Sequence, residues 1–311
     1  MNSNITINEL FEQRVEFPDP SAQERLARLV GLDYQKDRLA KILGILVNPV
    51  GLEDWKQKHH PAADELIHRV LHRPPLVVLA GDVGTGKSEI AETIGDAVAR
   101  QEKIHITLFP LSLSSRGQGR VGEMTQLLSA AFDYTATEAN KLKSSSGKAR
   151  GGVILLIDEA DALAQSREAS QMHHEDRAGV NALIRGVDRI CNNHLPAVVV
   201  MCTNRLAALD PAVKRRAAEI LTFERPNDEQ RRYVLDKAFE PLGLSDDQVN
   251  AIVAETGAQN GRAYGFTYSD LTQRLLPSIV LDAYPDNPID PQRILQIVKN
   301  IHPTPPFQEG I

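Results

Sequence analysis

The sequence predicts an α/β fold, a doubly wound parallel sheet followed by a smaller helical domain. Five short apolar runs carry the first part of that expectation: LVVLA (76–80), ITLFPL (106–111), GVILLID (152–158), AVVVMCT (197–203) and EILTF (219–223). They are continuous rather than alternating, as strands covered on both faces must be. Helical patterns lie between them, which suits parallel strands joined by crossover helices. After Pro226 no strand pattern returns, and DEQRRYVLDKAF, SDDQVNAIVAET and TYSDLTQRLLPSIVLDAY all read as helices.

Taken in order, residues 1–29 form a short polar segment containing the turn-like FPDPS at 17–21. Residues 30–224 make up the α/β domain. Its first helix, between Val30 and Val47, places Leu32, Leu39, Ile42, Leu43 and Leu46 on an apolar face. A polar, histidine-bearing stretch follows, and Pro74-Pro75 breaks the chain before the first strand. Ile90, Ile94 and Val98 mark the next helix, and SSSGKARGG (144–152) reads as a surface loop before the third strand. Val180, Leu183, Ile184, Val187 and Ile190 give the clearest helical spacing in the chain. Residues 225–311 form the helical domain.

A length of 311 residues allows a sizeable core. The net charge of -6 gives no global attraction to nucleic acid or to an anionic membrane. Cys191 and Cys202 sit beside apolar residues and read as reduced core thiols of a cytoplasmic protein. The N-terminus lacks the basic start and apolar run of a signal peptide, and no apolar stretch is long enough to span a bilayer. The expectation is a soluble, cytoplasmic protein without membrane contact.

The chemistry concentrates at four places. Gly81-Asp82-Val83-Gly84-Thr85-Gly86-Lys87-Ser88 fits G-x-x-x-x-G-K-[ST] and stands between a strand and a helix. There the glycines turn backbone N–H groups toward phosphate oxygens, and the helix adds its positive N-terminal dipole. Lys87 is placed to reach the β- and γ-phosphates of ATP, and the Ser88 hydroxyl to ligate Mg²⁺. An accidental glycine turn is the bland reading, and the strand–helix context argues against it. GVILLIDEADAL ends a strand in Asp158-Glu159, at the sheet edge where ligands of such folds bind. Asp158 suits the metal through water, and Glu159 suits orienting or deprotonating the attacking water; the bland reading is a solvated helix start. Asn204, after the fourth strand, offers a neutral amide to position that water, although Thr-Asn also begins many turns. Finally, Arg215 and Arg216 in LDPAVKRRAAEI either form solvated surface or project at a neighbouring subunit's γ-phosphate.

These four elements in this order resemble the AAA+ ATPases over most of residues 30–280. The resemblance implies a five-stranded parallel sheet in the order 5-1-4-3-2, a helical lid, ATP with Mg²⁺ as the bound species, and a homo-hexameric ring. It also implies that VGLDYQKDRLAKIL (30–43), through Gly31 and Leu32, forms one wall of the adenine pocket. Ser269-Asp270 stand near the place of the family's lid arginine, which leaves Arg274, one turn on, as its substitute.

Further features are similar to the HORMA-domain remodellers, the pachytene-checkpoint-type branch. They are LLIDEADALAQSREAS running to HHEDRAGVNALIRGVDRI, the LDPAVKRRA segment with Arg216 at the trans-acting position, and LLPSIVLDAY (275–284) as a proline-interrupted lid helix. Bacterial members resembling this chain accompany CBASS anti-phage operons, which implies a HORMA-domain protein bound to a CD-NTase as partner. The chain departs from the branch in having only about thirty residues where eukaryotic members carry an adaptor-binding domain. It departs again in its expected pore loop, SLSSRGQGRVGEM (112–124), whose tip holds Arg116, Gly117 and Gln118, with Arg120 beyond, in place of an aromatic residue.

A nucleic-acid motor is the rival reading. Arg116 and Arg120 favour it, and the acidic net charge and lack of basic-aromatic interleaving oppose it. A scaffold that binds ATP without turnover is opposed by Glu159, Asn204 and Arg216 together. His68 and His72 stand at i, i+4, a spacing that can bind metal, but with His59-His60 and His173-His174 they read as solvated faces.

Overall fold

All five apolar runs form strands in the computed structural model, which describes residues 10–11, 13–113, 123–144, 148–163, 174–259 and 262–307. They are β2 (Leu76–Gly81), β3 (His105–Ser112), β4 (Gly151–Asp158), β5 (Ala197–Thr203) and β6 (Glu219–Phe223). The expected order of the five holds, and β2–β5, β5–β4 and β4–β3 pair in parallel. The sheet differs from the five-stranded expectation by a sixth strand, β1 (Val15–Phe17), which pairs antiparallel with β3 at the edge. Three residues are too few to show a period, and the adjoining FPDPS reads as a turn. What holds β1 is burial: Phe17 is 1% exposed, and a methyl added at Gly95 would stand 2.4 Å from its ring.

Two compact units divide the chain. The first contains the described residues up to Arg28 together with Tyr34–Ala80 and Ser88–Thr222. Helices α1 (Pro20–Arg28), α2 (Asp33–Val47), α3 (Val50–His59), α4 (Asp64–Leu71), α5 (Lys87–Glu102), α6 (Glu123–Lys141), α7 (His174–Asn192) and α8 (Pro211–Lys214) alternate with its strands. Leu128, Ala131 and Phe132 of α6 and Leu183, Val187 and Ile190 of α7 pack with Val78, Phe109, Leu155 and Val199 on one face of the sheet. By alternation Val77, Leu108, Ile154 and Val200 point to the other face, and they too are buried. There Val47 of α2 lies over Gly152 of β4. Gly151 and Gly152 thus begin a strand, and the predicted loop ends before them. Ile90, Ile94 and Val98 of α5 are fully buried, as their spacing predicts.

The second unit contains 29–33, 81–87 and the chain from Phe223 onward. Capping boxes start α9 (Asp228–Phe239), with Asn227 and Gln230, and α10 (Asp246–Thr256), with Ser245 and Gln248. The stretch expected as one late helix is a π-helical turn, Asp270–Leu275, running into α11 (Leu276–Ala283). Pro277 stands where the π-helical turn passes into α11; Leu276 N still donates to Leu271 O, and the proline, having no N–H, interrupts the ladder one residue later. α12 (Pro291–Asn300) follows. Asp270, fully buried, gathers this unit. Its carboxylate accepts from Thr267 N and Thr304 N (both 3.0 Å), Thr304 Oγ1 (2.7 Å) and Arg274 Nη1 (2.8 Å).

Candidate nucleotide site

The phosphate loop leaves β2 and is braced within the second unit. Asp82 is its hub. Arg225 donates Nε and Nη2 to Asp82 Oδ2 at 2.8 and 2.5 Å, Val83 N and Phe307 N donate to Oδ1, and Arg225 Nη1 donates to Gly265 O at 2.7 Å. The Asp82 carbonyl accepts from Thr85 Oγ1 (2.8 Å) and Lys87 Nζ (2.6 Å). Gly84 is left-handed (φ 74°) and its carbonyl accepts Ser269 N. A Cβ there would stand 2.7 Å from Thr267 Oγ1, so both conformation and contact demand glycine. Leu32 lies over Gly86, with Cδ1 3.0 Å from where a Cβ would be, which brings the expected adenine-wall segment against the phosphate loop.

Gly31 is also left-handed (φ 71°), and its carbonyl accepts Gln230 Nε2 at 2.9 Å. The Tyr268 hydroxyl packs against it, buried and without a hydrogen-bond partner among the described residues. Burial pushes that hydroxyl up to about 12, and the Asp33 charge adds to the shift. Arg274 donates to Asp270 and its side chain is about half exposed.

In the first unit Ser88 lies in the opening turn of α5. Asp158 ends β4, paired in register with Ser112 of β3, and Asp158 Oδ1 accepts the N–H of Glu159 at 2.8 Å. Glu159 is one of three non-glycine residues at positive φ among those described (φ 53°). Such a conformation in a long side chain is strained and concentrates at working sites. Its Oε2 accepts from Ser112 Oγ at 3.1 Å. Asn204 follows β5, the neighbour of β4, and is held by Asp161. Asp161 Oδ1 accepts Asn204 N (2.8 Å) and Thr203 Oγ1 (2.6 Å), and Oδ2 accepts Asn204 Nδ2 (2.7 Å).

Arg215 follows α8 and is exposed. Arg216 is held on α7 by Asp188, with Nε–Oδ1 at 2.9 Å and Nη2–Oδ2 at 3.1 Å, and this hydrogen-bonded pairing raises its already high pKa. The expected pore-loop residues Arg116, Gly117, Gln118 and Arg120 lie outside the described residues. His68 and His72 stack at 3.8 Å, and no group of three or more His, Cys, Asp or Glu able to hold a metal occurs among the described residues. Both cysteines are free thiols. No helix among the described residues is long and apolar enough to cross a membrane.

Sequence reading did not single out Arg225, Ser112 or Asp161. Asp161 was the legible one, standing two residues past Glu159 in the same DEAD run. Arg225 and Ser112 are single residues at strand ends with no spacing that marks them.

A glycine-rich G-x-x-x-x-G-K-S turn after one strand, an acidic end on another and an asparagine held just past a third follow the order of motifs of a P-loop ATPase. Residues 77–225 match the ATPase family associated with various cellular activities (AAA). The chain belongs to this family and is an ATPase. It is 66% identical over 307 residues to CD-NTase-associated protein 6 of Escherichia coli (strain MS 115-1), covering 99% of each chain. Among solved structures, a chain of the E. coli MS115-1 HORMA:CdnC:Trip13 complex matches with a TM-score of 0.89 and 65% identity, over 97% of this chain and 99% of that one. Rhizobiales Trip13 matches with a TM-score of 0.74 and 55% identity, over 95% and 100%.

Proposed function

We propose that this chain uses ATP hydrolysis to remodel a HORMA-domain protein associated with a CD-NTase, working in the cytoplasm as a hexameric ring that takes an extended substrate segment into its pore. End-to-end likeness to a chain of a HORMA:CdnC:Trip13 complex, at 65% identity, is the observation that carries it.

Each site residue has a role in this reading. Backbone N–H groups of Asp82 to Lys87 cradle the phosphates, the Lys87 ammonium neutralises them, and Gly31 and Leu32 border the base. Ser88 and Asp158 are the residues that would hold magnesium, an all-oxygen donor pair suited to a hard cation, which when bound offsets charge on the phosphates. Glu159 takes the proton of the attacking water, and the hydrogen bond from Ser112 supports its aim. Asn204 orients that water. Arg216 leaves Asp188 to neutralise transition-state charge on the neighbour's ATP, with Arg215 beside it. Arg274 serves as the lid's contact to the nucleotide. Residues 1–29, 30–224 and 225–311 form the N-terminal segment, the ATPase domain and the lid. Arg116, Gly117, Gln118 and Arg120 grip the substrate through donors to backbone carbonyls and acidic side chains.

ATP turnover measured with added HORMA-domain protein, and separately with DNA, tests the proposal. Stimulation by the HORMA protein alone supports it. Stimulation by DNA alone would replace it with a nucleic-acid motor.

A further inference from the structure

Asp161 offers its whole carboxylate to two consecutive residues at the end of β5. Oδ1 takes the Thr203 hydroxyl and the Asn204 N–H, and Oδ2 takes the Asn204 amide Nδ2. An ionised carboxylate only accepts, so the Asn204 group facing it is the NH₂. Its other end, Oδ1, is therefore turned away from Asp161 as an acceptor, and no donor reaches it among the described residues. A free amide on this scaffold would have two faces of nearly equal shape. The carboxylate chooses between them.

We infer that Asp161 is the positioning residue for hydrolysis, fixing which end of the Asn204 amide meets the attacking water. An acceptor there takes a hydrogen from the water and leaves the oxygen lone pair directed at phosphorus. The opposite orientation would present a donor, occupying the lone pair that must attack. The inference rests on the reading of Asn204 as the residue that orients the water. It adds that Asn204 has one productive orientation and that a second residue sets it.

Asp161→Asn tests this with almost no change of shape. The substituted side chain keeps an oxygen for Thr203 Oγ1 and Asn204 N, but its own NH₂ now faces Asn204, whose amide turns over to bring an oxygen to it. Steady-state ATP turnover and ATP binding are measured for Asp161→Asn, Asn204→Ala and the double variant. The expected result is a fall in kcat of roughly ten- to hundredfold for Asp161→Asn, with KM and ATP affinity within about twofold of the parent. In the Asn204→Ala background the same substitution should change kcat by less than about twofold, because the group it acts through is gone. Parental kcat in Asp161→Asn, or an equal fall in the Asn204→Ala background, overturns the inference and leaves the reading of Asn204 standing. Loss of ATP binding in Asp161→Asn would make its role structural and also overturn it. Parental kcat in Asn204→Ala would remove the reading beneath it.

Discussion

Replacing Asp270 should open the tail of the second unit while leaving the sheet untouched. Four donors converge on this fully buried carboxylate, two of them backbone N–H groups (Thr267 and Thr304). Asp270→Asn retains one oxygen for both backbone donors, while its NH₂ loses Arg274 and leaves Thr304 Oγ1 to turn and accept in a weaker, neutral bond. The Arg274 side chain is about half exposed and returns to water. Exchanging charge-assisted bonds for neutral ones at this buried position costs about 2 kcal/mol. Asp270→Ala removes all four bonds and orphans the two backbone donors, for about 4 kcal/mol. Hydrogen exchange reads this directly. At about 1.4 kcal/mol per tenfold, peptides spanning 267–275 and 301–307 should lose protection by about 30-fold in Asp270→Asn and about 1,000-fold in Asp270→Ala. Peptides from β4 serve as the internal control. Exchange within about threefold of the parent in Asp270→Ala would refute the reasoning. The acid limb follows from the same bonds. Burial alone would raise the Asp270 pKa, but hydrogen bonds from Thr267, Thr304 and Arg274 outweigh it and hold the group below the ordinary carboxylate range. A depressed folded pKa gives stability that is present above the unfolded value and lost as pH falls through the folded one. The parent should therefore show an acid-triggered opening of 301–307 that Asp270→Asn lacks.

Arg225→Met should weaken ATP binding by about tenfold or more, since Asp82 loses both bonds that brace the phosphate loop, and unchanged affinity for a fluorescent ATP analogue would remove that bracing role. Arg216→Ala should bind ATP and fail to turn it over, yet regain part of the activity when mixed with Glu159→Gln protein, because intact and variant groups then meet at shared interfaces. No recovery, with subunit exchange confirmed, would show that Arg216 does not act in trans.

The sheet was legible because burial on both faces leaves a direct mark, the uninterrupted apolar runs that became β2 to β6. The same reasoning fails for β1, whose three residues have no period and whose anchor is one ring, Phe17, packed on Gly95. Lys87, Ser88, Asp158 and Glu159 were legible as candidates because phosphate and acidic motifs have fixed local spacing. Arg225 and Asp270 were not, because their partners lie far along the chain: Asp82 is 143 residues from Arg225, and Thr304 is 34 from Asp270. Nor does sequence show that Glu159 stands at positive φ, since that conformation is imposed by the strand end and not by the residue type. Arg216 was readable as an arginine but not as one held by Asp188, 28 residues earlier on α7.

Separation of a HORMA-domain protein from its CD-NTase partner, followed by loss of energy transfer between fluorophores on the two proteins, tests the central claim most directly. The parent chain should separate them with ATP and not with ADP, whereas Glu159→Gln should bind ATP, remain on the complex and leave it intact. Separation by Glu159→Gln at the parental rate, or a complex that stays whole with the parent and ATP, would contradict the account.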